Sequence, residues 1–225
     1  MKEVNIFYSK IIDRPISRNS ALLKNLPKNL LTKNKNYKRW KDRELNLLGK
    51  LLLIEGLKLY DIELKCLKKL KYNKYGKPYL DLDLDFNISH SGEYVLCALS
   101  RGLRLGIDIE KIEKLDLNSI TGVFTKNELF HINSSEKKEK TFYDYWTSKE
   151  SVVKAIGRGL SIPLEDIEVY KNQQLSYDND TWYIQKVQID NLYSSHIAFN
   201  YKQIKLNYYF IDFYNCDVNL MEQVL

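Results

Sequence analysis

From Leu105 to Glu110 apolar and polar side chains alternate, the period of a strand. Residues two apart share a face, so Asp108 and Glu110 project together while Ile107 and Ile109 turn to the core. Further on, Phe142, Tyr145, Trp146, Lys149, Val152, Val153 and Ile156 recur at steps of three and four, which predicts a helix stopped by Gly157 and Gly159. A second helix is predicted where Leu45, Leu48 and Leu52, with Leu47, Leu51 and Ile54, form a broad apolar stripe. Val4 to Tyr8 reads as a first strand, and Asp61 to Lys71 as a weaker one. Tyr72 to Pro78 is a loop by its Gly and Pro. Phe86 and Ile88 alternate with polar neighbours before a turn at Ser89 to Gly92. Tyr94 to Ser100 is a buried strand, and Arg101 to Arg104 should turn it into a hairpin with the Asp108 strand. Beyond Pro163 the pattern is β, over Ile167 to Tyr170, Trp182 to Ile189, His196 to Tyr201 and Tyr208 to Phe213.

Two acidic side chains on one strand face repel unless a cation lies between them. Magnesium prefers carboxylate oxygens, takes few protein ligands and leaves positions for substrate phosphates. Asp108, Glu110 and Glu150 with Lys154 would make a phosphoryl-transfer site. A plainer reading stands beside it: Asp-x-Glu as solvated strand surface, and Glu150 with Lys154 as an ordinary helix pair four residues apart. His90 ends a strand beside two serines and a glycine, where a side chain can meet a ligand. Thr125 with Glu128 three residues later fits a capping box, and on spacing alone that is the preferred role of Glu128.

Composition narrows the class. With 225 residues and 44% hydrophobic content, the chain can bury a core. The first residues begin no signal peptide, and Leu51 to Ile54 is an apolar run bounded by Lys50 and Glu55, too short for a bilayer. Cys66, Cys97 and Cys216 are odd in number and far apart, as free thiols of a reducing cytoplasm would be. Residues 1–80 hold 20 Lys+Arg against 7 Asp+Glu, a balance of +13, and the remainder, 15 against 22, carries −7. A basic first half suits an anionic partner. No phosphate-binding Gly-rich loop, zinc spacing or Gly-x-Ser-x-Gly elbow is present.

Gly106-Ile107-Asp108-Ile109-Glu110 together with Trp146-x-x-Lys149-Glu150-Ser151-x-x-Lys154-x-x-Gly157 resembles the paired signature of 4′-phosphopantetheinyl transferases, in particular the class that activates surfactin and other nonribosomal peptide synthetases (Sfp-type). Gly76-Lys77-Pro78, Phe86-Asn87-Ile88-Ser89-His90-Ser91-Gly92, Phe124-Thr125-x-x-Glu128 and Gly157-Arg158-Gly159-Leu160-Ser161 resemble further segments in the same order, from about Arg14-Pro15 to the last strands. The resemblance implies an α+β fold of two similar halves related by a pseudo-twofold, residues 1–104 on the nucleotide side and 105–225 carrying the metal site and catalytic helix, with the active site in the cleft between them. It implies a monomer, since shorter single-half relatives assemble as trimers. It implies a reaction in which a carrier-protein serine attacks the β-phosphate of coenzyme A and adenosine 3′,5′-bisphosphate leaves.

The same resemblance assigns roles. Asp108, Glu110 and Glu150 would hold Mg2+, or Mn2+ in its place, on the diphosphate, with Lys154 over the phosphates. Glu150 would be the base, directly or through a metal-bound water, and Glu128 a possible accessory group. Ser89 and His90 would contact the 3′-phosphate of coenzyme A, Lys77 the nucleotide, and Lys28 and Lys33 further phosphate oxygens. Where the family's helix carries an arginine before Leu-Leu-Gly this chain has Leu45, with Arg43 two residues earlier, more than half a turn away. The segment from Gly157 to Tyr183 would help dock an acidic apo acyl or peptidyl carrier protein. On composition alone a basic nucleic-acid binder or another metal-dependent phosphoesterase are the competing readings, and the resemblance favours neither nucleic acid nor membrane as a partner.

Overall fold

The computed structural model describes residues 1–16, 21–34, 38–115, 122–169, 174–177, 179–215 and 221–223. Its described elements are β1 (Lys2–Lys10), α1 (Lys28–Asn34), α2 (Trp40–Leu59), β2 (Lys71–Tyr72), β3 (Pro78–Tyr79), β4 (Asp85–Ser91), β5 (Tyr94–Ser100), β6 (Leu105–Lys111), α3 (Lys126–Ser134), α4 (Lys138–Ile156), β7 (Gln174–Tyr177), β8 (Asp180–Lys186), β9 (Tyr193–Phe199), β10 (Ile204–Phe210) and β11 (Met221–Gln223). The architecture is α+β. One sheet runs β11-β10-β1-β5-β4 and another β6-β9-β8-β7, with β2 and β3 as a separate short ladder. Among the described residues only the β1–β10 pairing is parallel; the others are antiparallel.

Strand alternation builds the layers. On β1 and β5, Phe7, Val95, Cys97 and Leu99 join the leucines of α2 in one core cluster. The opposite faces of the same strands send Val4, Ile6, Leu96 and Ala98 into a second cluster with Ile107 and Ile109 of β6 and Ile197 and Phe199 of β9. A third cluster places Val152, Val153 and Ala155 of α4 against Trp182, Ile184 and Ala198 on the far face of the second sheet. The order is therefore helix, sheet, sheet, helix. The two sheets also share a connectivity: a strand, a long helix and a hairpin, paired as β1-β5-β4 and as β6-β9-β8. The turn at 101–104 joins these two units, and β10 returns to pair with β1.

Three expectations are corrected. Asp61 to Lys71 is not a strand: residues 64–69 form a 3-10 helix. Leu64, Leu67 and Leu70 all pack on the first core, and a spacing of three matches the 3-10 period. The hairpin is formed by β4 and β5 across the Gly92-Glu93 turn, while β6 leaves β5 and pairs with β9. Residues 167–169 are irregular, with Ile167 inserted from a loop into the third core; Tyr170 lies outside the described residues. Cys66 and Cys97 are free thiols, and Cys216 lies outside the described residues. Among the described residues no helix is long and apolar enough to cross a membrane.

Candidate active site

The site lies where β4, β6 and α4 meet. Both faces of β6 are covered: Ile107 and Ile109 face the inter-sheet core, while Gly106, Asp108 and Glu110 occupy the alternate face. A Cβ on Gly106 would stand 2.2 Å from Ala155 N and 2.3 Å from Ser151 O. Only a residue without a side chain lets α4 lie this close to the strand. At the end of α4, Gly157 takes the left-handed conformation, φ 76°, and closes the helix as its spacing predicted.

That close approach brings Lys154 to Asp108. The Lys154 ammonium donates to Asp108 Oδ1 at 2.6 Å and to Ser89 Oγ at 2.9 Å. Ser89 Oγ in turn donates to the same Asp108 oxygen at 2.9 Å. Asp108 is buried, and its Oδ2 has no hydrogen-bond partner. Glu110 accepts from Ser91 Oγ at 2.6 Å. Burial raises the pKa of Glu110, with the Ser91 hydrogen bond opposing and the Asp108 charge adding to it. Burial also raises the pKa of Glu150, as do the charges of Asp108 and Glu110, against the pull of Lys154. The charge of Asp108 thus acts on both Glu110 and Glu150, and that of Glu110 on Glu150. The plain Glu150–Lys154 helix pair is replaced by a Lys154–Asp108 bridge between two elements.

His90 is accessible at its surface, yet the surrounding walls dehydrate its ring and lower its pKa; Lys154 acts in the same direction, with Asp42 and Asp108 opposing. Its neighbours thus span the first turn of α2 and the end of α4. Arg43 lies half-buried in that first turn of α2, and Leu45 is packed in the core. Lys28 is exposed at the start of α1; the side chain of Lys33 lies outside the described residues.

Lys77 is placed differently from the expectation of a nucleotide contact. Its ammonium points inward and donates to Asp85 Oδ2 at 3.0 Å, Leu105 O at 3.0 Å and Ala155 O at 3.4 Å. With Asn73 Nδ2 donating to Gly157 O at 2.7 Å, it ties the 73–77 turn to the carbonyl end of α4. Glu128 is likewise engaged away from the acidic group. It closes the capping box with Thr125, accepts from Val169 N at 3.0 Å and forms a buried ion pair of 2.7 Å with Lys149. Lys149 also donates to Leu164 O at 2.9 Å and Ile167 O at 2.6 Å, so three acceptors meet three N–H donors.

Sequence reasoning passed over Asp85, Asn87 and Ser91. The available signal was a run of four polar residues at alternate positions, 85, 87, 89 and 91, on a strand whose other face is apolar.

Two features fit a hard divalent cation: three carboxylates in one electrostatic neighbourhood, and a buried Asp108 oxygen that nothing in the protein satisfies. Among the described residues no three Asp, Glu, His or Cys side chains stand close enough to form a ready-made metal cluster, and Lys154 supplies the neutralising charge on Asp108.

Comparison with known proteins places the chain among close relatives. The model of the 4'-phosphopantetheinyl transferase superfamily (ACPS) matches residues 104–207. The 4'-phosphopantetheinyl transferase gsp of Aneurinibacillus migulanus is 40% identical over 143 residues, 61% of this chain and 58% of that protein. The 4'-phosphopantetheinyl transferase Sfp of Bacillus subtilis (strain 168) is 32% identical over 196 residues, 81% of this chain and 87% of its own length. The 4'-phosphopantetheinyl transferase ffp of Bacillus subtilis is 33% identical over 169 residues, 72% of this chain and 75% of its own.

Proposed function

The chain belongs to the 4'-phosphopantetheinyl transferase superfamily, and on that premise we propose that it transfers the 4'-phosphopantetheine arm of coenzyme A to a serine of an apo acyl or peptidyl carrier protein. The serine oxygen forms a bond to the β-phosphorus, the bond from that phosphorus to the bridging oxygen breaks, and adenosine 3',5'-bisphosphate leaves. The observation that carries this reading is the buried Asp108, held by Lys154 and Ser89 on one oxygen and unsatisfied on the other, beside Glu110 and Glu150.

In this reading Asp108, Glu110 and Glu150 would hold Mg2+, or Mn2+ in its place, and the ion would supply charge neutralisation at the reacting diphosphate. The remaining work falls to the chain itself. Lys154 is a point charge on a flexible stem, able to exchange its contact with Asp108 for a phosphate oxygen. Glu150, whose pKa is raised by burial and by Asp108, binds a proton more readily than an ordinary carboxylate and suits the acceptor of the serine proton. His90, accessible beside Lys154 and the start of α2, is read as the contact to the 3'-phosphate, with Lys28 and Arg43 on the neighbouring helices as further cations. The Ser89 hydroxyl is buried between Lys154 and Asp108, and in this reading it acts on the ligand through them.

The two units are read as halves related by a pseudo-twofold, with coenzyme A in the cleft between them and the break near residue 104. The repeated β1-β5-β4 and β6-β9-β8 order supports this. A chain holding both halves is read as a cytoplasmic monomer. Nonribosomal peptide synthesis, the source of antibiotics and related products, is the pathway class that the Sfp-type resemblance suggests.

The test is one incubation of the protein with coenzyme A, magnesium and an apo carrier domain, followed by mass spectrometry. Appearance of the phosphopantetheine mass on the carrier, lost when chelator replaces magnesium, is the expected result. An unmodified carrier with hydrolysed coenzyme A would instead point to a phosphoesterase, and an unmodified carrier with intact coenzyme A would overturn the enzyme assignment.

A further inference from the structure

Asp85, Asn87, Ser89 and Ser91 form a ladder along β4. Each accepts a backbone N–H from the residue twenty positions later: Leu105 at 2.9 Å, Ile107 at 2.9 Å, Ile109 at 3.3 Å and Lys111 at 3.1 Å. The edge strand β6 is thus paired on one side by the backbone of β9 and on the other by side chains of β4. A strand edge buried between two sheets must have its amides satisfied; here short side chains stand in for a neighbouring backbone.

The two serines differ from the two residues before them because the single oxygen of a hydroxyl both accepts and donates. Ser91 Oγ accepts from Lys111 N and so has its own proton to give, which goes to Glu110 Oε2 at 2.6 Å. The β6 amide therefore orients the hydroxyl, and the hydroxyl orients the carboxylate one residue back. Ser89 repeats the arrangement with Ile109 N and Asp108, with Lys154 as an additional donor. Ser91 is spaced so that its one hydrogen falls on the second member of the acidic pair.

The geometry points to Ser91 as a positioning residue, whose hydroxyl aims the Glu110 carboxylate for the divalent cation that Asp108 and Glu110 share. This rests on the metal reading of the proposed function. Partners that hydrogen-bond a metal-binding carboxylate typically contribute 10–100-fold to metal affinity, so the serine should be visible in ion binding itself, apart from catalysis.

The experiment titrates Mn2+ into the full chain with coenzyme A and no carrier protein, reading free Mn2+ by electron paramagnetic resonance. Four variants are compared with the parent: Ser91→Ala, Ser91→Thr, Asp108→Ala and Asn87→Ala. The last removes the same kind of ladder bond without touching a carboxylate, so it reports a purely structural effect. Ser91→Ala is expected to weaken Mn2+ binding by about tenfold or more, Ser91→Thr to regain most of that, and Asn87→Ala to lower the melting temperature while binding Mn2+ as the parent does. Parent-like affinity in Ser91→Ala, or an equal loss in Asn87→Ala, would overturn the positioning role while leaving the metal reading intact. Unchanged binding in Asp108→Ala, or no binding by the parent, would overturn both.

Discussion

The Asn87 side-chain oxygen accepts the backbone N–H of Ile107 at 2.9 Å, and both residues are buried. This bond joins the edges of two sheets that share no backbone pairing along that seam. Asn87→Ala leaves the Ile107 amide without an acceptor, away from water. Stranding a buried donor costs about 1–3 kcal/mol, and urea unfolding of Asn87→Ala should show a loss in that range. A variant as stable as the parent would mean that the seam contributes nothing to holding β6.

Gly106 predicts a larger effect. The added Cβ of Gly106→Ala would meet Ala155 N and Ser151 O, which are backbone atoms of α4 and cannot rotate away. Either β6 or α4 must shift, and α4 carries Glu150 and Lys154. The expected loss is about 3 kcal/mol or more, in the upper range for single substitutions. Transfer activity should fall further than the unfolded fraction explains, because Lys154 would move off Asp108. A thermal melt and a rate measured well below the melting temperature separate the two effects.

The parts of the site that lie within one element could be read from the sequence, and those that lie between elements could not. Period two put Asp108 and Glu110 on one face of a strand, and the Thr125 capping box is present as spacing foretold. Spacing by four suggested that Lys154 pairs with Glu150. The lysine instead crosses to Asp108 because Gly106 lets the helix descend onto the strand, a distance that no periodicity encodes. The resemblance turned Lys77, in a loop with Gly and Pro, toward the nucleotide; only the fold shows the bare carbonyl of Ala155 that it serves. Local misreadings had a similar origin. Leu64 and Leu67 lie in a 3-10 turn, with Leu70 capping it, because tertiary burial, not strand propensity, decides a short apolar segment.

The Lys149–Glu128 pair is expected to behave as a buried unit. Lys149 is fully buried and Glu128 nearly so, at 0% and 2% side-chain exposure. Burial lowers the Lys149 pKa, and the Glu128 hydrogen bond opposes the shift. Lys149→Met leaves a buried carboxylate facing no cation, a change that typically costs about 3–5 kcal/mol. Glu128→Gln in the same chain removes that charge while keeping an acceptor for Val169 N, so the double variant should be more stable than Lys149→Met alone. A double-mutant cycle in denaturant reads the coupling directly; simple additivity would dissolve the pair into independent contacts.

Glu110 and Glu150 should trade stability for function. Their folded pKa values lie above the ordinary carboxylate value, chiefly through burial. A carboxyl group raised in this way favours the folded state while protonated, and that contribution is lost as pH rises through the folded pKa. Above the folded pKa each group is ionised against the burial that disfavours its charge, and the fold is weakened. Glu110→Gln and Glu150→Gln should therefore raise the melting temperature in chelator at pH 7.5, at about 2–4 °C for each kcal/mol relieved. The gain should shrink as pH falls into the carboxylate range. Transfer activity should drop in the same variants, and a melting temperature that falls at pH 7.5 would refute the strain argument.

His196 is expected to make the fold sensitive to acid. It stands opposite Asp108 in the β6–β9 register, buried under α4, with its Nδ1 2.8 Å from Thr147 Oγ1. Burial pushes its pKa down to about 4, with the Asp144 charge opposing and Lys186 and Lys140 adding to the depression. Burial also works against the charged form of Asp144, but bonds from Ser194 and Lys186 outweigh it and hold that carboxyl low, so the histidine gains no proton from its neighbour. In the unfolded chain His196 protonates near its ordinary value of about 6.5. Between that value and about 4 the unfolded state binds the proton and the folded state does not. Stability is therefore full above the unfolded pKa and declines as pH falls through this window, by a few kcal/mol at most. His196→Asn removes the titrating group, at the expense of the Thr147 contact. It should unfold more readily than the parent at pH 7.5 yet show a flatter loss between pH 6.5 and pH 4. Urea midpoints taken across that interval decide the matter, and parallel slopes for the two proteins would place the acid sensitivity in other groups.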